Sequence, residues 1–137
     1  MRARCRSDRG SMAVEIVILT PVLMAFVMLI VAGGRYVAVK GDIEATARDA
    51  ARAASLERDF GSATASAGAV VGSSLEKDTT CQAPSVGPAG TFVAGGLVTV
   101  QLTCQVSYDG LGLIGLPGSV AVNATSSAPL DPYRRTG

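Results

Sequence analysis

Residues 16–34, IVILTPVLMAFVMLIVAGG, run without a single charged side chain. At about 1.5 Å per residue in a helix they reach roughly 28 Å, close to the hydrocarbon thickness of a bilayer. No other feature constrains the fold as much. A segment in lipid must satisfy its own backbone groups, and a helix does so within one chain segment. Thr20 and Pro21 interrupt the run, but proline is tolerated in membrane helices where it kinks them locally. Glu15 stands at the entrance. An acidic residue costs about 2.5–3.5 kcal/mol at mid-helix on insertion scales, and less near the headgroups. The simplest account of Glu15 is a boundary residue.

The chain has 137 residues and a formal charge of +1, with no histidine and no tryptophan. Beyond the span there is room for one modest folded unit. A balanced charge gives no basic face for nucleic acid. Without histidine, neither a Ser/His/Asp nor a Cys/His site can be built, and histidine metal ligands are missing. The expectation is a non-enzymatic protein with no cofactor, no metal and no nucleic-acid partner.

Arg2, Arg4, Arg6 and Arg9 precede the run, which also fits the positive region of a cleaved secretory signal. The run is longer than a usual signal core, and IVAGGRY offers a poor cleavage site. A protein secreted after cleavage near residues 32–34 is the alternative. Orientation is nearly balanced, since Arg35, Lys40, Arg48 and Arg52 follow the run within the distance that counts. Cys81 and Cys104 both follow it, and Cys5 precedes it. An isolated pair in a small domain reads as a disulfide formed outside the cytoplasm, with two buried free thiols as the competing reading. The disulfide places the N-terminus in the cytoplasm and the C-terminal domain outside the cytoplasmic membrane.

After the span, residues 35–61 continue a helical pattern. Ile43, Ala47, Ala50 and Ala54 recur at helical spacing as one narrow apolar stripe for close helix packing. Glu44 and Arg48 form an acid-before-base pair four apart. Gly41 marks a bend and Gly61 a stop. Residues 62–77 read as a second helix, and residues 79–96, rich in glycine and proline, as a loop with a short strand around Cys81. Residues 97–108, LVTVQLTCQVSY, alternate apolar and polar with strict period two, so Cys104 points to the buried face. Leu111, Leu113, Ile114 and Leu116 form an exposed apolar cluster, the docking patch of a permanently anchored extracytoplasmic binding module if the chain is one. Residues 119–128 read as another strand. Asn123 and Thr125 complete a glycosylation triplet that is read as strand composition.

The resulting fold class is α+β: a long N-terminal transmembrane helix continuing into an amphipathic helix, then a small antiparallel β domain. Its divisions are a basic leader at 1–10, the span at 11–34, an extracytoplasmic helical segment at 35–77, a β-rich domain at 78–128 and a flexible tail at 129–137.

Gly10, Ser11 and Glu15 now take on a further meaning. A basic leader, a glycine, a glutamate five residues beyond it and an apolar helix resemble the processing signature of type IV pilins and pseudopilins. RGSMAVEIVILTPVLM, followed by GGRYVAVKGDIEATARDAARAAS, is similar to the TadE-like minor pilins of tight-adherence systems. Gly10, Val14, Glu15, Pro21, Gly34, Arg35 and the alanine–arginine helix from Ala47 to Ala54 carry the likeness. Ile16 departs from it, because an aromatic residue commonly follows the glutamate. The resemblance implies cleavage between Gly10 and Ser11 by a prepilin peptidase, and pairing of Glu15 with the N-terminal amine of a neighbouring subunit. It also implies the lipid bilayer, the major pilin, other minor pilins and the inner-membrane assembly platform as partners, with a cell-surface pilus as a possible destination.

Overall fold

The computed structural model of the chain describes residues 9–75, 81–109, 111 and 117–133. Most of the expected leader, Cys5, Leu113, Ile114, Leu116 and the last four residues lie outside these. Helix α1, Arg9–Leu56, is followed by α2, Phe60–Leu75, and by strands β1, Cys81–Ala89, β2, Leu97–Ser107, and β3, Ser119–Pro129. The class is α+β, as the sequence implies.

α1 is one helix of 48 residues that passes through Pro21 and, without interruption, through Gly41. It ends five residues earlier than Gly61. The Glu57 amide closes its last turn on the Ala54 carbonyl at 3.3 Å, and the chain then turns over residues 57–59. Asp59 caps the helix that follows: its Oδ1 accepts the Ser62 amide at 2.9 Å, and the Ser62 hydroxyl donates to its Oδ2. An acidic N-cap satisfies amides that the first helical turn leaves without partners. Gly61 therefore sits in the first turn of α2 rather than at a helix end. Its permissive backbone suggested a stop, but the neighbouring cap determines where the helix begins.

The three strands form an antiparallel sheet in the order β1-β2-β3. β2 and β3 pair without a register shift from Leu97 with Pro129 to Ser107 with Ser119. β1 is the larger departure from expectation, because half of the segment read as a loop with a short strand around Cys81 is a nine-residue strand. Pro84 falls where the register shifts between Gln82 and Ser85, and Pro88 lies farther along the same outer strand. Edge strands and bulges are where a sheet accepts residues that cannot donate to the ladder.

One face of this sheet is covered by helices, with α1 against β3 and β2, and α2 against both α1 and β1. Val98, Val100, Leu102, Cys104 and Val106 point into the resulting layer from β2. Ile43, Ala47, Ala50 and Ala54 face them from α1, and Ala63, Ala67, Val71 and Leu75 from α2. Helices and strands share this core, so the expected boundary between 77 and 78 does not separate two packed units. Two further expectations change. Leu111 is buried in the core rather than exposed. Leu130 is among the largest fully buried side chains and its amide reaches the Gly96 carbonyl at 2.9 Å, so the tail cannot start at 129.

Gly118 closes the β2–β3 connection with φ +133, and a Cβ there would come within 2.7 Å of the Tyr108 ring. Only glycine meets both conditions without strain. The Tyr108 amide donates to the Gly118 carbonyl at 3.1 Å, which fixes the base of the hairpin.

Candidate functional site

The first half of α1 carries the residues that the sequence singles out. Arg9, Gly10 and Ser11 begin the helix. Ser11 and Glu15 are four positions apart, one turn or about 6 Å along the axis, and so lie on the same side of α1. Glu15 is exposed, and among the described residues it makes no ion pair. A carboxylate without a partner at the mouth of an apolar segment is tolerable in water and costly in hydrocarbon, so lipid would give it a reason to find a cation.

Beyond it the surface is greasy. Every large apolar side chain from Val14 to Val31 is exposed, from 45% at Val31 to 72% at Val17. A soluble protein does not leave a patch of that extent bare. Among the described residues one helix, covering Ala13–Leu56, is long and apolar enough to cross a membrane. Within it Pro21 supplies no amide, so the Val17 carbonyl loses its usual intrahelical partner. Thr20 donates its hydroxyl to the Ile16 carbonyl at 2.7 Å, which keeps a polar hydroxyl satisfied inside an apolar span.

The second half of α1 is anchored by the domain. From Val39 onward, Ile43, Ala47, Ala50, Ala51 and Ala54 are buried. Alanine at these positions lets the helix come close to α2 and the sheet, and the contact is tight enough that little space remains for a larger side chain. Charges occupy the opposite side. Glu44 pairs at 3.9 Å with Lys40 rather than with Arg48. That base-before-acid order is the less favourable one along a helix, and the pair is half-exposed, so it contributes little.

Cys81 and Cys104 form a disulfide across 23 positions of sequence, with Cα atoms 5.5 Å apart. Cys81 stands opposite Val106 in the β1–β2 register, so the bond is diagonal and joins the bulged end of β1 to the central strand. Among the described residues no group of three or more His, Cys, Asp or Glu could hold a metal ion.

Sequence reasoning missed Leu111 and Leu130 as core residues. Their flanking glycines and prolines suggested loop and tail, and no periodic pattern reveals a single anchoring side chain.

Residues 10–52 match the family model described as TadE-like protein. No curated protein matches the chain, and no solved structure matches it. The match begins at Gly10, includes Glu15 and the exposed apolar half of α1, and extends into the buried alanine stripe. The likeness to TadE-like protein is thus one of this segment, residues 10–52.

Proposed function

We propose that the chain is a non-enzymatic minor pilin or pseudopilin, held in the cytoplasmic membrane by the first half of α1, that helps assemble a tight-adherence pilus or a related secretion system. Its folded domain stands outside the cytoplasm, where the Cys81–Cys104 bond can persist. The observation that carries the reading is the coincidence of the TadE-like match at residues 10–52 with an apolar helix half whose large side chains are left exposed among the described residues.

In this reading a prepilin peptidase cuts between Gly10 and Ser11. The cut removes Arg2, Arg4, Arg6 and Arg9 and leaves a new ammonium on Ser11. Glu15 then pairs with that kind of ammonium, most usefully with one on a neighbouring subunit. A buried carboxylate is costly alone and tolerable when paired, so helices packed out of register are penalised. Glu15 acts as a register device, whether or not the pair adds net stability. The major pilin, sibling minor pilins and the inner-membrane platform are the partners such a device serves.

Co-expression with a prepilin peptidase tests the assignment. The chain should lose its leader, whereas Gly10→Ala should remain full length in the membrane fraction. Normal processing of Gly10→Ala would reject the assigned cut.

A further inference from the structure

The three strands are held to the domain unequally. β2 buries Val98, Val100, Leu102, Cys104 and Val106, and β3 buries Val122 and Ala124, with Leu130 just beyond its end. Among the described side chains of β1 none is buried, and Cys81 and Val86 reach the edge of the core half-buried. The ladder between β1 and β2 is also weakened. Pro84 and Pro88 have no amide to donate, and the register shift splits the pairing into a short stretch at Cys81 and Gln82 and a longer one from Ser85 to Ala89. The Cys81–Cys104 bond fastens the first residue of this strand to a fully buried position of β2. Such a bond acts chiefly on the detached state: while it is closed Cys81 cannot leave Cys104, and once it is open the whole of β1 is free to go. The remaining interfaces do not run through β1. α1 packs on α2, β3 and β2, and β2 pairs with β3 along its whole length.

We propose that β1 is a redox-released strand. With the Cys81–Cys104 bond closed it covers one edge of β2, and with the bond reduced it detaches as a unit while α1, α2, β2 and β3 stay folded. The reductant class is a dithiol. Its thiolate attacks Cys81, which is half-buried, rather than Cys104, which is fully buried. A bond forms between the dithiol and the Cys81 Sγ, the Cys81–Cys104 bond breaks, and Cys104 leaves as a thiolate that takes up a proton. The second sulfur of the dithiol then displaces Cys81 in the same way, so two electrons and two protons pass to the chain and the dithiol ends as a disulfide. Release uncovers the amides and carbonyls of β2 that faced β1, on a strand that carries no proline and no charge to guard its edge. The consequence is a sheet edge that is open only in the reduced protein.

Hydrogen exchange on the full chain in detergent micelles, oxidised or treated with dithiothreitol, is the test. After reduction the amides of Gln82, Ser85, Val86 and Gly87 should exchange about tenfold or more faster than the β3 amides paired with β2. That exchange should depend little on added urea, the mark of an opening smaller than global unfolding. In the oxidised chain the gap between the two strands should shrink about tenfold. Cys81→Ala with Cys104→Ala should reproduce the reduced pattern without reductant, which separates loss of the bond from other effects of the thiol. Iodoacetamide gives a second readout: in the reduced chain Cys81 should be alkylated about tenfold faster than Cys104, which the helices keep covered. Equal exchange of β1 and β3 after reduction, including unfolding of the whole domain, would overturn the proposal, as would equal alkylation of the two thiols. A gap of the same size in the oxidised chain would also overturn it, since the prolines and not the bond would then set how β1 is held.

Discussion

Along α1 the large apolar side chains of residues 14–31 are exposed, while farther along the same helix the buried positions are mostly alanines. The contrast is what the proposed membrane anchor requires of one continuous helix that serves two solvents. Where lipid is the neighbour, large side chains are tolerated on every side, because no specific shape has to be matched. Where protein is the neighbour, one face must be small enough for α2 and the sheet to approach, and charges gather on the other. A helix can thus be apolar all round in one half and amphipathic in the next without changing its backbone.

The sharpest way to break this comparison is to place the same charge in each half. Ala47→Lys buries an unpaired cation in the core and should unfold the domain, with loss of about 3–5 kcal/mol, while membrane retention persists. Leu23→Lys should do the reverse, lowering insertion by about 2.5–3.5 kcal/mol on translocon scales with the domain intact. Membrane fractionation and urea titration of both variants read the two effects separately. Parallel losses in both assays would show that the halves are not independent.

Next in size is the disulfide. Cys81→Ala with Cys104→Ala should lower domain stability by about 2–4 kcal/mol, the range for a bond closing a loop of this length. Urea midpoints give the loss, and retention in the membrane should not move. Ala50→Leu should cost about 1–3 kcal/mol by overpacking, whereas Ala25→Leu, on the exposed half, should leave the urea midpoint where it is.

The smallest effect concerns acid. Hydrogen bonds from the Ser62 hydroxyl and then from its amide hold the Asp59 carboxyl below its ordinary value of 3.8. A carboxyl depressed in the folded state contributes stability that is fully present above its unfolded value and lost as pH falls through the lower folded value. The melting temperature of the domain should therefore gain nothing from Asp59 on raising pH from 5 to 7 and decline below about 4. Asp59→Asn should flatten that part of the decline, and an unchanged acid profile would show that the cap contributes nothing to it.

Much of this architecture can be read from the residues. The apolar run declares itself by length, the alternation in β2 by its period, and the alanine stripe by helical spacing. β1 cannot be read in the same way, because Pro84 and Pro88 break the pattern and only pairing with β2 makes an edge strand of it. Leu111 and Leu130 are buried by what surrounds them in space, which no local pattern encodes. Of the candidate site, Gly10, Ser11 and Glu15 are visible as a constellation. The exposed setting of Glu15 on the uncovered half of α1 is a tertiary fact, since it depends on where the domain stops packing.

The most direct measurement is the N-terminal residue and intact mass of the protein taken from its native membrane. The account predicts a chain beginning at Ser11, with Glu15 one turn from a free amine. A chain still beginning at Met1 would contradict it, and Glu15 would then be a boundary glutamate on a permanently anchored domain.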